Sequence, residues 1–351
     1  MKKNLLSAIL VLFSAMYLLT ACANSGGSDS NDYYHDPEIG FKNNFLGMGF
    51  LGQIKEMSAL DIDFNLIYVP AGSFRLDKRG EDLLKEDKIE KIITMFLSKG
   101  FWMGETEVTQ KLWKTVMGNN PSAFTTNPDG GDDDLLPVER VNWYDAITFC
   151  NKLSIASGLN PVYHVDGVDF KTLHTGQVPT GRNTYWDAAT ADFSMNGYRL
   201  PTEMEAMWAA MGADADAMEQ CNEEGYKKSF PGSSGSNDVN DYVWHRGNAE
   251  AKTHEVALKE PNELGLYDMS GNVFEWCWDW YSDEYYAEIY DDDTVDAYTD
   301  YMAFDPANSG RNITRGGSWE YDAVKRGEIF IRAQFPSTSK SSSVGLRVVR
   351  P

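Results

Sequence analysis

Cysteine is scarce in this 351-residue chain, which has four, at Cys22, Cys150, Cys221 and Cys277. None stands in a Cys-x-x-Cys or Cys/His spacing that would hold zinc. Cys150 and Cys277 lie among apolar and aromatic neighbours, where buried structural thiols are common. Basic charge is also in deficit, with 31 Lys and Arg against 53 Asp and Glu and a net charge of −22. Such a field repels phosphate backbones and anionic headgroups, so nucleic acid is not an expected partner, and the spread-out acid excess reads as a solubility device. After residue 19 no apolar run is long enough to cross a bilayer. There is no repeat at a solenoid period. The Asp-rich tracts 128–134 and 283–310 lack the EF-hand pattern with its terminal Glu and read as solvated loops. What is present is 42% hydrophobic and 13% aromatic residues, the composition of a folded chain.

The N-terminus opens Met1-Lys2-Lys3 and runs apolar from Leu5 to Leu19, which has the form of an export signal. Leu19-Thr20-Ala21-Cys22 resembles the lipobox of bacterial lipoproteins, and that resemblance implies acylation of Cys22. Two or three acyl chains make a stable anchor, at about 0.8 kcal/mol per buried CH₂. With Cys22 so committed, the remaining three cysteines allow at most one disulfide. Residues 23–60 are polar and weakly periodic, so the expected division is 1–21 signal peptide, 22–60 lipidated Cys22 and polar tether, and 61–351 folded domain. The expected location is exported, lipid-anchored in a bacterial outer membrane at the cell surface, touching the membrane through the anchor only.

Within the domain, residues 64–74 read as a strand, a Pro/Gly turn and a second strand, and 99–104 begin another aromatic strand. Three helices are legible. One follows Thr106, with Val108, Leu112, Trp113 and Val116 on one face and Gly118 as its stop. A second starts at Asn142 as N-cap, turns Ala146, Ile147, Cys150 and Leu153 inward, and ends before Gly158. The third opens on a capping box, Thr202-Glu203-Met204-Glu205 behind Pro201, and runs to about Met211.

Six phrases follow one another in this order: Tyr68-Val69-Pro70-Ala71-Gly72-Ser73-Phe74, Glu105-Thr106-Glu107-Val108-Thr109, Pro137 to Trp143, Arg199-Leu200-Pro201-Thr202-Glu203, Asn262 to Trp276, and Arg315-Gly316-Gly317-Ser318-Trp319, closing with Gly345-Leu346-Arg347. Together they resemble the formylglycine-generating, or sulfatase-modifying factor, family. The resemblance implies an α+β domain of the C-type lectin fold with little regular secondary structure, two main helices and small antiparallel sheets.

In the family's enzymes two cysteines after the Gly-Gly-Ser motif bind copper and oxidise a substrate cysteine. Here Tyr321 stands at the first position, Lys325 or Arg326 near the second, and no cysteine occurs after Cys277. Neither side chain replaces the soft thiolate that Cu(I) requires. Iron-dependent relatives take their metal from an added helical bundle, for which 23–60 is too short. Oxidative catalysis is therefore not expected, a degenerate oxidoreductase being the alternative. The family's calcium site maps onto Asp268, Gly271, Val273 and Glu275, a mixed oxygen set that suits a structural Ca²⁺. Equally, Glu275 serves as a hydrogen-bond acceptor for loop amides beside Trp276.

The stretch from Trp319 to Val344 holds neither strand alternation nor a helical stripe for long, so part of it is expected to face solvent. With its Gly-Gly-Ser-Trp opening it resembles the variable proteins of diversity-generating retroelements, the treponemal kind in particular, where adenine-directed mutagenesis alters a ligand-binding surface on a fixed lectin-fold scaffold. AAC codons lead to many of its residue types, although Glu320, Lys325, Glu328, Gln334 and Lys340 do not follow from them. The candidate ligand-binding residues are Trp319, Glu320, Tyr321, Asp322, Lys325, Glu328, Phe330, Arg332, Gln334 and Phe335. Aromatic anchors with adaptable polar groups suit a protein or glycan ligand.

Overall fold

The structure is a computed structural model and describes residues 53–60, 62–77, 92–213, 228–282, 297–303, 310–322, 329 and 332–351. The export signal, Cys22, most of the tether, Cys221, Lys325, Glu328 and Phe330 lie outside the described residues.

The strands are β1 Ile54–Ala59, β2 Ile62–Val69, β3 Gly72–Asp77, β4 Ile92–Leu97, β5 Phe101–Gly104, β6 Tyr163–His164, β7 Thr190–Ala191, β8 Phe274–Trp280, β9 Ala297–Thr299, β10 Arg311–Arg315, β11 Ala333–Pro336, β12 Val344–Gly345 and β13 Val349–Arg350. They form a sheet ordered β1-β2-β5-β13, a second ordered β11-β10-β8-β12, a third of β3-β4-β9, and the β6-β7 pair. Most neighbours are antiparallel as expected, but β12 runs parallel to β8 and β9 parallel to β4, because long crossovers deliver both strands. The expected start of the domain at 61 is also too late. β1 pairs with β2 over its whole length, and it read as tether because only Ala59 is buried and its other side chains sit at a half-wet edge.

The helices are α1 Gln110–Met117, α2 Trp143–Ala156, α3 Thr184–Asp187, α4 Glu203–Ala210 and α5 Val239–Tyr242. Helix α1 begins later than its apolar face suggests. Thr109 Oγ1 accepts Leu112 N–H and fixes the start, leaving Val108 in the preceding turn, and Gly118 at φ 75° closes the helix. Helix α2 carries a full capping box, in which Asn142 Oδ1 accepts Asp145 N–H (2.8 Å) and Asp145 Oδ2 accepts Asn142 N–H (3.0 Å). Helix α4 has the expected box between Thr202 and Glu205. So α2 is the long helix, and two eight-residue helices, α1 and α4, accompany it.

One apolar cluster lies between α1, α2 and β8. Trp143 packs between Trp278 (centroids 5.2 Å) and Trp280 (5.5 Å) and donates Nε1–H to Cys277 O (3.0 Å). Trp113 stacks on Phe149 at 5.0 Å. Every residue of β8 is buried because strands cover both edges and helices pack on it, so it shows no alternation in the sequence. A second cluster joins β2–β5 to α4, where Trp208 stacks on Phe74 and donates Nε1–H to Pro70 O (2.8 Å). A Cβ on Gly72 would stand 2.4 Å from the Trp208 ring, which is why glycine occupies that place. Cys150 and Cys277 are buried free thiols, and burial pushes both thiol pKa values upward. Among the described residues no helix is long and apolar enough to cross a membrane.

Candidate functional site

The turn before β8 is held by an ionic cluster. Asp268 and Asn272 take left-handed backbone angles, φ 53° and 51°, which short polar side chains tolerate. Asp268 Oδ2 accepts Ala257 N–H (2.8 Å). Glu107 accepts Val273 N–H at Oε1 (3.1 Å) and Asn272 Nδ2–H at Oε2 (3.0 Å). Glu275 Oε1 accepts both Nε–H (2.9 Å) and Nη2–H (2.7 Å) of Arg347, whose remaining donors reach the carbonyls of Gly104, Glu105 and Tyr267. Arg347 is fully buried. Burial pushes Glu107 well above the usual carboxylate range, with Asp268 and Glu275 adding to it, and burial lifts Asp268 to about 6.

Calcium was one expectation for this stretch. The structure brings Asp268, Gly271, Val273 and Glu275 onto one turn. Glu275 spends Oε1 on Arg347, while Gly271 and Val273, whose carbonyl oxygens the calcium set would use, donate their N–H groups to Gly316 O (2.7 Å) and Glu107 Oε1 (3.1 Å). Among the described residues no three acidic, His or Cys side chains converge on a metal position. The positive charge comes from the chain's own guanidinium.

A second buried cluster lies beneath β10. Glu203, at the first turn of α4, accepts from Arg315 Nη2 and from Arg332 Nε (2.8 Å). Burial works against its ionisation, yet the two guanidinium groups hold its pKa below the ordinary value. Asp279 accepts Glu203 N–H (2.7 Å) and Ala303 N–H (2.9 Å), and burial, then the nearby Glu203 charge, lifts it to about 7. A cavity of about 10 Å³ between Met207, Glu275, Arg315 and Gly316 has room for one water.

The Gly-Gly-Ser-Trp turn sits between these clusters. Gly316 and Gly317 take φ 89° and 74°. Trp319 N–H donates to Asn272 O (2.9 Å) and its Nε1–H to Ser342 O (3.1 Å), while its ring meets Phe124 edge-on at 5.5 Å. The Phe124 loop is fixed in turn by Glu139, whose Oε1 accepts the N–H groups of Ala123 (2.5 Å) and Phe124 (2.8 Å), and whose pKa burial lifts to about 7.

The candidate residues then divide. Glu320 and Asp322 are exposed. Tyr321 is half-buried with its ring against Phe274 (5.3 Å), and Phe335 packs on Phe274 (5.7 Å) and Trp276 (6.2 Å). Gln334 is half-buried and accepts from Arg311 (3.4 Å). Arg332 is drawn inward to Glu203, its side chain only 6% exposed. Sequence reasoning missed Arg246, which clamps the turn by donating Nε–H to Glu320 O (2.8 Å) and N–H to Tyr321 O (2.9 Å). Nothing in its neighbourhood signals that role. Trp244, stacked on His254 at 3.7 Å with Lys259 over its other face, steadies the loop that carries it.

A small mixed α+β fold with the Gly-Gly-Ser turn wedged between two buried ionic clusters defines the class. A family profile described as "Sulfatase-modifying factor enzyme 1-like domain" matches residues 52–351, and the chain belongs to that family. It is similar to the solved structure titled "Treponema denticola variable protein 1", at 36% identity and TM-score 0.71, over 85% of this chain and 99% of that one. It is 34% identical to "Chaperone protein LppX" of Paenibacillus barcinonensis, over 82% of this chain and 89% of that protein. It is 33% identical to the formylglycine-generating enzyme of Streptomyces coelicolor, over 46% of this chain and 49% of the enzyme.

Proposed function

We propose that the domain is a non-catalytic scaffold that presents a ligand-binding surface at its C-terminal segment, carried outside the cell on a lipid attached to Cys22. The observation that carries this reading is the turn at 316–321. Its backbone is fixed by Asn272 and Arg246 and the Trp319 indole by Ser342 O, while Glu320 and the neighbouring Asp322 are exposed. A rigid backbone that holds outward polar side chains costs little ordering entropy on binding. The sequence supports the absence of copper chemistry, since Tyr321 follows the motif where the enzymes carry a thiolate. Two of the similar proteins bear names that are not those of enzymes, a variable protein and a chaperone. Diversification of this segment by a retroelement and display on the outer-membrane surface are the finer parts of the proposal.

The test has three arms. Incubated with copper and a cysteine-containing peptide, the purified chain should form no aldehyde, and aldehyde formation would overturn the reading. Grafting 319–322 and 332–335 from another family member should change which ligand is captured while the melting temperature holds. In cells, Cys22→Ser should abolish incorporation of labelled fatty acid, and unchanged labelling would remove the anchor. For diversification, a near-copy of codons 316–350 differing only at adenines should lie beside the gene.

A further inference from the structure

After α1 the chain makes a surface loop before it returns to the scaffold at Pro137. No residue from 119 to 126 is buried, and none belongs to a helix or strand. Two buried side chains hold its middle. Gln110, at the start of α1, donates Nε2–H to Phe124 O (2.7 Å) and accepts Asn120 Nδ2–H at Oε1 (2.8 Å). Glu139 accepts the N–H groups of Ala123 (2.5 Å) and Phe124 (2.8 Å) at Oε1. The scaffold side of this attachment is firm, because Val138 N–H donates to Val108 O (2.9 Å) and Val108 N–H to Leu346 O (2.9 Å).

The Glu139 side chain is fully buried, and its Oε2 has no hydrogen-bond partner among the described residues. Burial lifts its pKa to about 7, against the pull of the Phe124 and Ala123 N–H groups and of Arg140. Residues 118–127 carry no ionisable side chain, Gln110 is neutral and Glu320 beyond Trp319 is exposed, so Arg140 is the charged group that faces it. Once ionised, the carboxylate has a bare oxygen shut away from water, and hydrating it requires the loop above to lift. When protonated it keeps Oε1 as an acceptor and loses the charge that calls for water.

We infer that Glu139 is a proton-operated latch: through the backbone of Ala123 and Phe124 it sets whether the Phe124 ring lies against Trp319, and so how the turn at 316–322 is buttressed. The two rings meet edge-on at 5.5 Å, and the indole is held separately by Ser342 O (3.1 Å). Lifting the loop therefore withdraws Phe124 from an indole that stays in place next to the exposed Glu320. Opening returns Glu139 to the ordinary carboxylate range, so each loop that opens gives up a proton, and the open fraction grows as pH rises from about 4 to 7. The inference goes beyond the ligand-binding role proposed above and does not depend on it, since the latch is a property of the loop and the base beneath it.

Amide hydrogen exchange of the whole chain between pH 5 and 8, corrected for the intrinsic pH dependence of exchange, reads the loop directly. Protection of the Ala123 and Phe124 amides should fall by about tenfold or more between pH 5 and 7 and level off above that. Glu139→Gln keeps the acceptor and removes the charge, so both amides should stay protected at every pH. By NMR, the indole N–H resonance of Trp319 should move with the same midpoint in the wild type and stay still in Glu139→Gln, a response that a merely structural Glu139 does not give. In Phe124→Ala, which leaves Glu139 in place, the indole should lose its pH response while the Ala123 amide keeps its own. Protection independent of pH, a pH dependence that survives in Glu139→Gln, or an equal fall in the amides of α2, which would mean global unfolding, would each overturn the inference. An indole resonance unmoved by pH in the wild type would overturn the link to Trp319.

Discussion

Arg347 and Lys340 belong to the same C-terminal stretch and bear the same charge, yet they do opposite things. Arg347 is wholly buried and spends its donors on Glu275 and three carbonyls, whereas Lys340 lies at the surface over Asp145. The same division runs through 319–335. Arg332, Tyr321 and Phe335 turn toward the scaffold, and Glu320 and Asp322 turn away from it. Among its described residues the stretch is thus part foundation and part exposed surface, and residue type does not say which part a side chain joins. The inward side chains each reach a buried partner, Glu275 for Arg347, Glu203 for Arg332 and the Phe274 ring for Tyr321, and in Arg347 and Arg332 the charged group itself is buried, whereas the Lys340 side chain stays 34% exposed over Asp145.

Arg347→Met tests the foundation with the largest expected effect. It leaves Glu275 buried beside Asp268 and Glu107 with no cation, and breaking a buried pair in this way costs about 3–5 kcal/mol. The melting temperature should fall by about 10 °C. Addition of Ca²⁺ should leave the wild-type melting temperature unchanged, and a calcium-dependent rise would show that the carboxylates hold a metal after all. Phe335→Ala comes next. It removes a half-buried ring from contact with Phe274 and Trp276, at about 2 kcal/mol. A loss of ligand binding with no loss of stability would move Phe335 from the foundation to the display side.

The foundation was legible wherever local chemistry fixes local structure. The Thr202–Glu205 box, the Asn142 cap and the Gly118 stop each satisfy helix-end groups within a few residues, so they could be read from spacing alone. β8 shows no preferred face, because burial on both sides erases alternation, and β1 resembles tether because an edge strand buries too little to show a pattern. The ionic clusters were illegible for another reason. Glu203 and Arg332, or Glu107 and Val273, are joined by the path of the chain and by nothing in their neighbours in sequence. The Gly-Gly-Ser-Trp phrase marks the turn between the ionic clusters, but which of its followers face outward depends on Arg246 and Phe274, both far away in the chain.

Acidity provides a smaller test of the foundation. Asp268 at about 6 and Glu139 and Asp279 at about 7 are raised above the unfolded carboxylate range near 4. The folded state therefore holds protons that the unfolded chain releases. Their contribution is fully present below about pH 4 and is lost as pH rises through 6 to 7. The melting temperature should be higher at pH 5 than at pH 8. Glu139→Gln should flatten part of that slope, by about 1–2 kcal/mol, because Oε1 still accepts from Ala123 and Phe124 while the charge is gone. A slope unaltered in this variant would place the pH dependence elsewhere.

The smallest stability effect belongs to the exposed part, and it is the most informative about function. Glu320→Gln and Asp322→Asn remove charge from two exposed side chains, the first on a backbone held by Ser318 and Arg246, so stability should stay within about 0.5 kcal/mol of wild type. A cationic peptide seated on Glu320 and Asp322 should lose its binding in the double variant, as read by isothermal titration, and unchanged binding would place the ligand elsewhere on the surface.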